Sequence, residues 1–137
     1  MCMIVAKRSG VKMPKDHILE RCATVNRDGI GIAWVSDNQV HIKKDFEDIR
    51  AFKLWARDHI KFNTPAIIHF RLCTHGANDM GNRHPFPVSK DLSLMRTLEL
   101  DCGLAVAHNG VLNGFDHKLY SDTQLFISEV LAYDLVK

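Results

Sequence analysis

The spacing of apolar and polar positions changes period several times along the chain, and each change marks an element. Cys2 to Ala6 is a short apolar run that reads as a strand. From Pro14 to Thr24 the spacing predicts a helix, with Pro14 near its start and Ile18, Leu19 and Cys22 on one face. Asn26-Arg27-Asp28-Gly29 is a turn signal. Ile30 to Val35 then reads as a strand, and Asn38 marks the turn into a second one, Val40 to Lys43, which together make a hairpin. Asp45 is placed to cap a helix from Phe46 to about Lys61, in which Ile49, Phe52, Lys53 and Ala56 recur at helical spacing. Asn63-Thr64-Pro65 ends it, and Ala66 to Leu72 reads as a buried strand. Thr74 to Pro87 is a long polar loop containing Gly76, Gly81, Pro85 and Pro87. Long loops inside compact domains are often functional. Leu104 to Ala107 is a further short strand, ending in the turn signal His108-Asn109-Gly110. Ser121-Asp122-Thr123-Gln124 fits a capping box. The helix it opens is expected to run to the chain end, with Leu125, Ile127, Val130, Leu131 and Leu135 as its apolar side. Interspersed strands and helices place the chain in the α/β or α+β class.

Length and composition narrow this further. The 137 residues suit one domain, residues 1–137. At 46% hydrophobic and 25% charged, the chain is neither disordered nor a fibrous rod. No apolar run approaches the roughly 18 residues of a membrane span. The amino end has an apolar patch followed by Lys7 and Arg8, the reverse of a signal peptide, so none is expected. The net charge of +2 comes without a basic stripe, so no nucleic-acid partner is expected. Cys2, Cys22, Cys73 and Cys102 are widely spaced with no CxxC pair. Reduced thiols in a cytoplasm follow as the default, with pairing in an oxidising compartment as the alternative. Cys22, Cys73 and Cys102 read as buried small hydrophobes.

Some positions carry candidate chemistry. If Met1 is removed, Cys2 holds a thiol and a free α-amine on one residue. That amine has an unperturbed pKa of about 7.7–8.0, so it can take the thiol proton directly or through one water. The plain alternative is a small strand residue. Arg71 closes an apolar strand, and its planar fork suits a carboxylate; a solvated strand face is the plain alternative. His75 is a base, a metal ligand or a hydrogen-bonded loop histidine. The Asn109 amide and the Gly110 N–H can point at one spot, as oxyanion donors do, or simply form a type I′ turn. Asp122 either favours a helix N-terminus or holds a substrate ammonium.

Each signal is weak singly, but their order along the chain is not. Cys2, the block Asn26 to Trp34, Arg71-Leu72-Cys73-Thr74-His75-Gly76, Asn82-Arg83-His84-Pro85-Phe86, His108-Asn109-Gly110 and Ser121-Asp122-Thr123 together resemble class II glutamine amidotransferases, which are amino-terminal-nucleophile hydrolases. The resemblance runs from residue 2 to the last helix. It implies an α+β fold, a four-layer αββα sandwich of two sheets between helix layers. It implies Cys2 as nucleophile, Asn109 and Gly110 as the oxyanion hole, Arg71 on the glutamine α-carboxylate and Asp122 on its α-ammonium. Thr74, His75 and Gly76 would line the pocket, and His84-Pro85-Phe86 would shape the loop. Glutamine would give glutamate and ammonia through a thioester on Cys2, with no cofactor and no metal.

The chain also departs from the family. Glutaminase domains usually carry further strands after the helix opened by Ser121, so the sandwich is expected to be C-terminally incomplete or minimal, with open sheet edges that invite a partner chain. No synthase domain is expected to follow, so a separate ammonia-accepting synthase subunit, another γ-glutamyl amide as substrate, and a homo-oligomer all stand open. The block Asn26 to Trp34 leans toward stand-alone members of the family. A binding or assembly subunit that keeps the fold without the chemistry is the competing reading. A metal hydrolase built on His69, His75, His84 and His108 is a third; it lacks a compact ligand motif such as H-E-x-x-H.

Overall fold

The computed structural model describes residues 1–135, and its architecture is α+β. Five strands form one antiparallel sheet: β1 (Met3–Lys7), β2 (Ile30–Ser36), β3 (Gln39–Lys43), β4 (Ala66–Phe70) and a strand without a sequence signal, Glu99–Cys102. With β5 (Phe86–Pro87) named in chain order, that last strand is β6, and the sheet order is β1-β4-β2-β3-β6. β5 pairs with β7 (Ala105–Val106) in a separate two-stranded ribbon. Helices α1 (Asp16–Val25) and α2 (Ile49–His59) follow the first strand and the hairpin. α3 (Leu92–Met95) is a single turn capped by Asp91. α4 (Asp122–Phe126) continues through a π segment, Ile127–Leu131, into α5 (Ala132–Leu135).

Register explains which side chains each face receives. Ile32 pairs with Ile68, and Phe70 with both Met3 and Ile30, so these residues share one face. That face packs on Leu19 and Cys22 of α1 and on Phe52 and Ala56 of α2. The opposite face carries Gly31, Ala33, Ile67 and His69. There the segment around His84 and the ribbon cover it: the His84 ring stacks on His69 at 4.2 Å between centroids. A second apolar cluster of Phe86, Val88, Met95, Ile127 and Ala132 ties the ribbon to α3 and the terminal helix.

Several expectations shift in detail. α2 begins at Ile49 rather than Phe46, because Asp48 caps it by accepting the Ala51 N–H at 2.8 Å. Asp45 instead takes the Lys43 ammonium at 2.7 Å. Ile18 is exposed rather than on the buried face of α1. The capping box at Ser121 and Gln124 is present in both directions. Beyond it, the π segment adds a residue to the turn and rotates the apolar stripe. Ile127 and Ala132 are therefore buried, while Val130 and Leu135 are exposed. The expected last residues of that helix, 136 and 137, lie outside the described ones. Of the cysteines, Cys22 alone is buried; Cys73 and Cys102 are half-buried, and all four thiols are free. Among the described residues no helix is long and apolar enough to cross a membrane.

Candidate functional site

The turn Asn26–Gly29 extends the β2–β4 pairing past its end. The Arg71 N–H donates to the Gly29 carbonyl at 2.8 Å, and the Asp28 N–H to the Arg71 carbonyl at 2.9 Å. The Asp28 carboxylate then accepts the Cys73 N–H at 2.7 Å. That bond, followed in weight by opposing burial and then the Asn78 amide, holds its carboxyl below the usual range. Two glycines let the next segment lie flat on the sheet. A Cβ at Gly29, whose φ is +128°, would meet Arg83 Nε at 2.0 Å, and one at Gly31 would meet the His84 carbonyl at 1.8 Å.

Arg71 is 3% exposed and sits at the centre of the loop that follows it. Its Nη1 donates to the Asp79 carbonyl at 3.2 Å, and its Nη2 to the Ala77 carbonyl at 2.9 Å and the Cys73 sulfur at 3.3 Å. Arg96 clamps the far side, donating to Asp79 Oδ2 and to Asn82 Oδ1 at 2.7 Å each. Burial opposes ionisation of Asp79, yet the Arg96 contact holds its carboxyl below the usual range. Lys44, fully buried, closes the base of this network, donating to the Gly81 carbonyl at 3.1 Å and the Met95 carbonyl at 2.7 Å. Burial, then the Arg96 charge, pushes its pKa down to about 7.

The Cys2 sulfur lies beside the same strand exit. It accepts the Leu72 N–H at 3.3 Å and approaches the Leu72 carbonyl at 3.5 Å. Around it, a cavity of about 20 Å³ is lined by Cys2, Arg71, Thr74, His75, Gly110 and Asp122, together with His84, His108 and Thr123. Residues separated by 120 positions of sequence are thus brought to one place. Two of the singled-out residues are not on its lining. Gly76, expected to line the pocket, packs instead against the Tyr120 backbone, where a Cβ would come within 2.8 Å. Asn109, expected as an oxyanion donor, is exposed at the loop tip. Size alone does not pick out this cavity: roomier grooves, up to about 550 Å³, lie over the exposed side of the helices among Glu20, Lys53 and Arg57.

Asp122 is 6% exposed, and both oxygens are engaged. Oδ1 accepts the Thr123 N–H and Oδ2 the Leu112 N–H, each at 2.7 Å. His84 Nδ1 accepts the His108 N–H at 3.1 Å. Burial, then its coupling to the stacked His69 ring, holds the His84 pKa well below its ordinary value. His69 is pushed down to about 4 by burial, and neither ring nitrogen has a hydrogen-bond partner among the described residues. Sequence reasoning missed Lys44, Arg96 and the His69–His84 stack. Asn82 and His84 stood in the motif Asn82-Arg83-His84-Pro85-Phe86, and His69 among the candidate metal ligands, but none was expected in these contacts. Among the described residues no group of three or more His, Cys, Asp or Glu is arranged to hold a metal ion.

The arrangement can hold a thiol beside one buried cation and one buried anion, next to a glycine. Comparison of the chain with protein-family models, with curated proteins and with solved structures finds no match.

Proposed function

We propose that the protein is a glutaminase of the class II glutamine amidotransferase type, acting through Cys2 as an amino-terminal nucleophile. The observation that carries this reading is the single cavity shared by Cys2, Arg71, Thr74, His75, Gly110 and Asp122. With Met1 removed, the Cys2 α-amine takes the thiol proton, and the sulfur attacks the side-chain amide carbon of glutamine. Gly110 N–H, joined by the Asn109 amide once that side chain turns inward, stabilises the oxyanion. The amine returns the proton to the departing ammonia, leaving a glutamyl thioester that water cleaves to glutamate. The substrate's α-carboxylate falls to Arg71 and its α-ammonium to Asp122. An ionised carboxylate offers about four lone-pair sites, so Asp122 can accept an ammonium beside its two backbone donors. Another γ-glutamyl amide presents the same amino-acid end and is the alternative substrate.

Within this reading the fold is a reduced four-layer sandwich. Helices α1 and α2, the five-stranded sheet, the β5–β7 ribbon, and α3 with the terminal helix supply the layers in that order, the second sheet being cut to two strands. Four free thiols, one of them the nucleophile, are kept reduced in a cytoplasm, which is the proposed location. A separate ammonia-accepting synthase subunit is the proposed partner. A space of about 20 Å³ is close to one water, so substrate entry requires the wall to open. The irregular, mostly exposed segment from residue 113 to 120, which leads into Ser121 on the lining, is the part proposed to move.

A second reading, a binding or assembly subunit without catalysis, is favoured by one observation: Arg71 and Asp122 already serve backbone groups. Intact mass separates the two. Protein lacking Met1 is expected to gain one adduct from 6-diazo-5-oxo-norleucine at Cys2, and Cys2→Ala is expected to lose both the adduct and all amide hydrolysis while keeping its fold. Processed protein that stays unlabelled, or a Cys2→Ala variant that still releases ammonia, sinks the glutaminase reading.

A further inference from the structure

The segment that carries Gly110 is held at both ends by side chains from elsewhere in the chain. On one side, His84 Nδ1 accepts the His108 N–H at 3.1 Å. On the other, Asp122 Oδ2 accepts the Leu112 N–H at 2.7 Å. Between them Gly110 has a φ of +142°, and a Cβ there would press on the His108 ring at 3.3 Å. The His84 ring has little freedom: it stacks on His69, and Phe86 lies at 4.6 Å. A nitrogen that accepts an N–H carries a lone pair, so the neutral ring keeps its proton on Nε2.

We infer that His84 is a positioning residue, which with Asp122 clamps the His108–Leu112 segment and so fixes the Gly110 N–H at the Cys2 cavity. This rests on the glutaminase reading of that cavity. His84 does its work as a hydrogen-bond acceptor at Nδ1, through the backbone, and exchanges no proton with substrate.

The acceptor role sets the test. Asparagine places its Oδ1 near the position of a histidine Nδ1, whereas leucine offers no acceptor. In protein lacking Met1, His84→Leu is expected to lower kcat for glutamine hydrolysis about 10²-fold, the scale of losing one oxyanion donor, with KM changed by less than about threefold. His84→Asn is expected to recover kcat to within about tenfold of the unmutated protein. Equal kcat in His84→Leu and the unmutated protein overturns the clamp, as does an asparagine variant no better than leucine. Amide hydrogen exchange on the unmutated protein needs no variant to fold. Slow exchange is expected at both His108 and Leu112, and open-loop rates at either overturn the proposal. If the unmutated protein neither hydrolyses glutamine nor takes the adduct, the glutaminase reading fails, and the exchange rates still decide whether the clamp exists.

Discussion

The two faces of the five-stranded sheet bury opposite kinds of side chain. Beneath α1 and α2, Ile32, Ile68 and Phe70 are fully buried against Phe46, Phe52 and Trp55, whose rings meet edge to face. The other face buries His69 and His84, and beside it lie Lys44, Arg71 and Asn82. An apolar face is stabilised roughly in proportion to area and tolerates swaps that keep volume. A polar face survives only where its groups find partners, and each partnership fixes a direction as well as a distance. The cavity at Cys2 opens on the polar side. The difference teaches that one face supplies stability while the other spends polar burial on geometry.

The largest effect is expected on the apolar side. Phe52 is fully buried and touches Phe46 and Phe70. Phe52→Ala is expected to cost about 3–5 kcal/mol in urea unfolding, the usual toll for removing a core phenylalanine. Under conditions where the variant stays folded, the rate of Cys2 labelling should not change. A loss under about 1 kcal/mol would break the assignment of this face as the main source of stability.

Lys44 gives the matching test on the polar side. Its folded pKa of about 7 lies below the unfolded value, so between those two values the unfolded chain holds a proton that the native one has released. Stability then rises with pH, by about 2 kcal/mol from pH 7 to 9 for this one group. More than about one pH unit below 7 its penalty is complete and constant. The thiols of Cys22, buried, and Cys102, half-buried, both pushed up by desolvation, pull the other way above about pH 8.5. The difference between the unmutated protein and Lys44→Met isolates the lysine: the variant is expected to lack the rise. Parallel pH profiles for the two proteins would show that Lys44 stays charged in the fold.

The same contrast explains what could be read from sequence. The helix-facing side was legible because apolar residues at helical and alternating spacing declare burial directly, as in Phe52 and Ala56 or Ile30 and Ile32. The residues at the cavity were legible one by one, as Cys2, Arg71, Gly110 and Asp122, through an ordered set of short motifs. Their partners were not. Nothing in the sequence marks Lys44 as buried, because it stands between Lys43, read as a strand end, and Asp45, read as a helix cap. Arg96 and Asn82 act through contacts across 14 positions. β6 escaped notice because Glu99-Leu100-Asp101-Cys102 is short and half charged, and only its pairing with β3 defines it. Asn109, expected by motif as an oxyanion donor, is exposed and off the cavity's lining, while the bonds that hold its loop belong to the His108 and Leu112 backbone.

The smallest effect is expected where spacing looks most like chemistry. At the edge of the helix-covered face, Ser36 Oγ lies 2.9 Å from His41 Nε2, and His41 Nδ1 lies 2.5 Å from Asp101 Oδ1. Those are the distances of a nucleophile, a base and its orienting carboxylate. The setting differs from that of Cys2. Asp101 is 56% exposed, the adjoining turn residues Asp37 and Asn38 are exposed, and Trp34 stacks on the imidazole. His41 and Asp101 are direct cross-strand partners of β3 and β6, so the relay staples the edge strand to the hairpin. Exposed contacts of this kind are worth about 0–1 kcal/mol. Ser36→Ala is therefore expected to shift stability by less than about 1 kcal/mol and to leave Cys2 labelling unchanged. A fluorophosphonate, which marks activated serines, should leave Ser36 unmodified, since the carboxylate that would orient the base, Asp101, is open to water. An adduct on Ser36 would mean that spacing alone suffices. The contrast between a buried, clamped cavity and an open staple would then lose its physical basis.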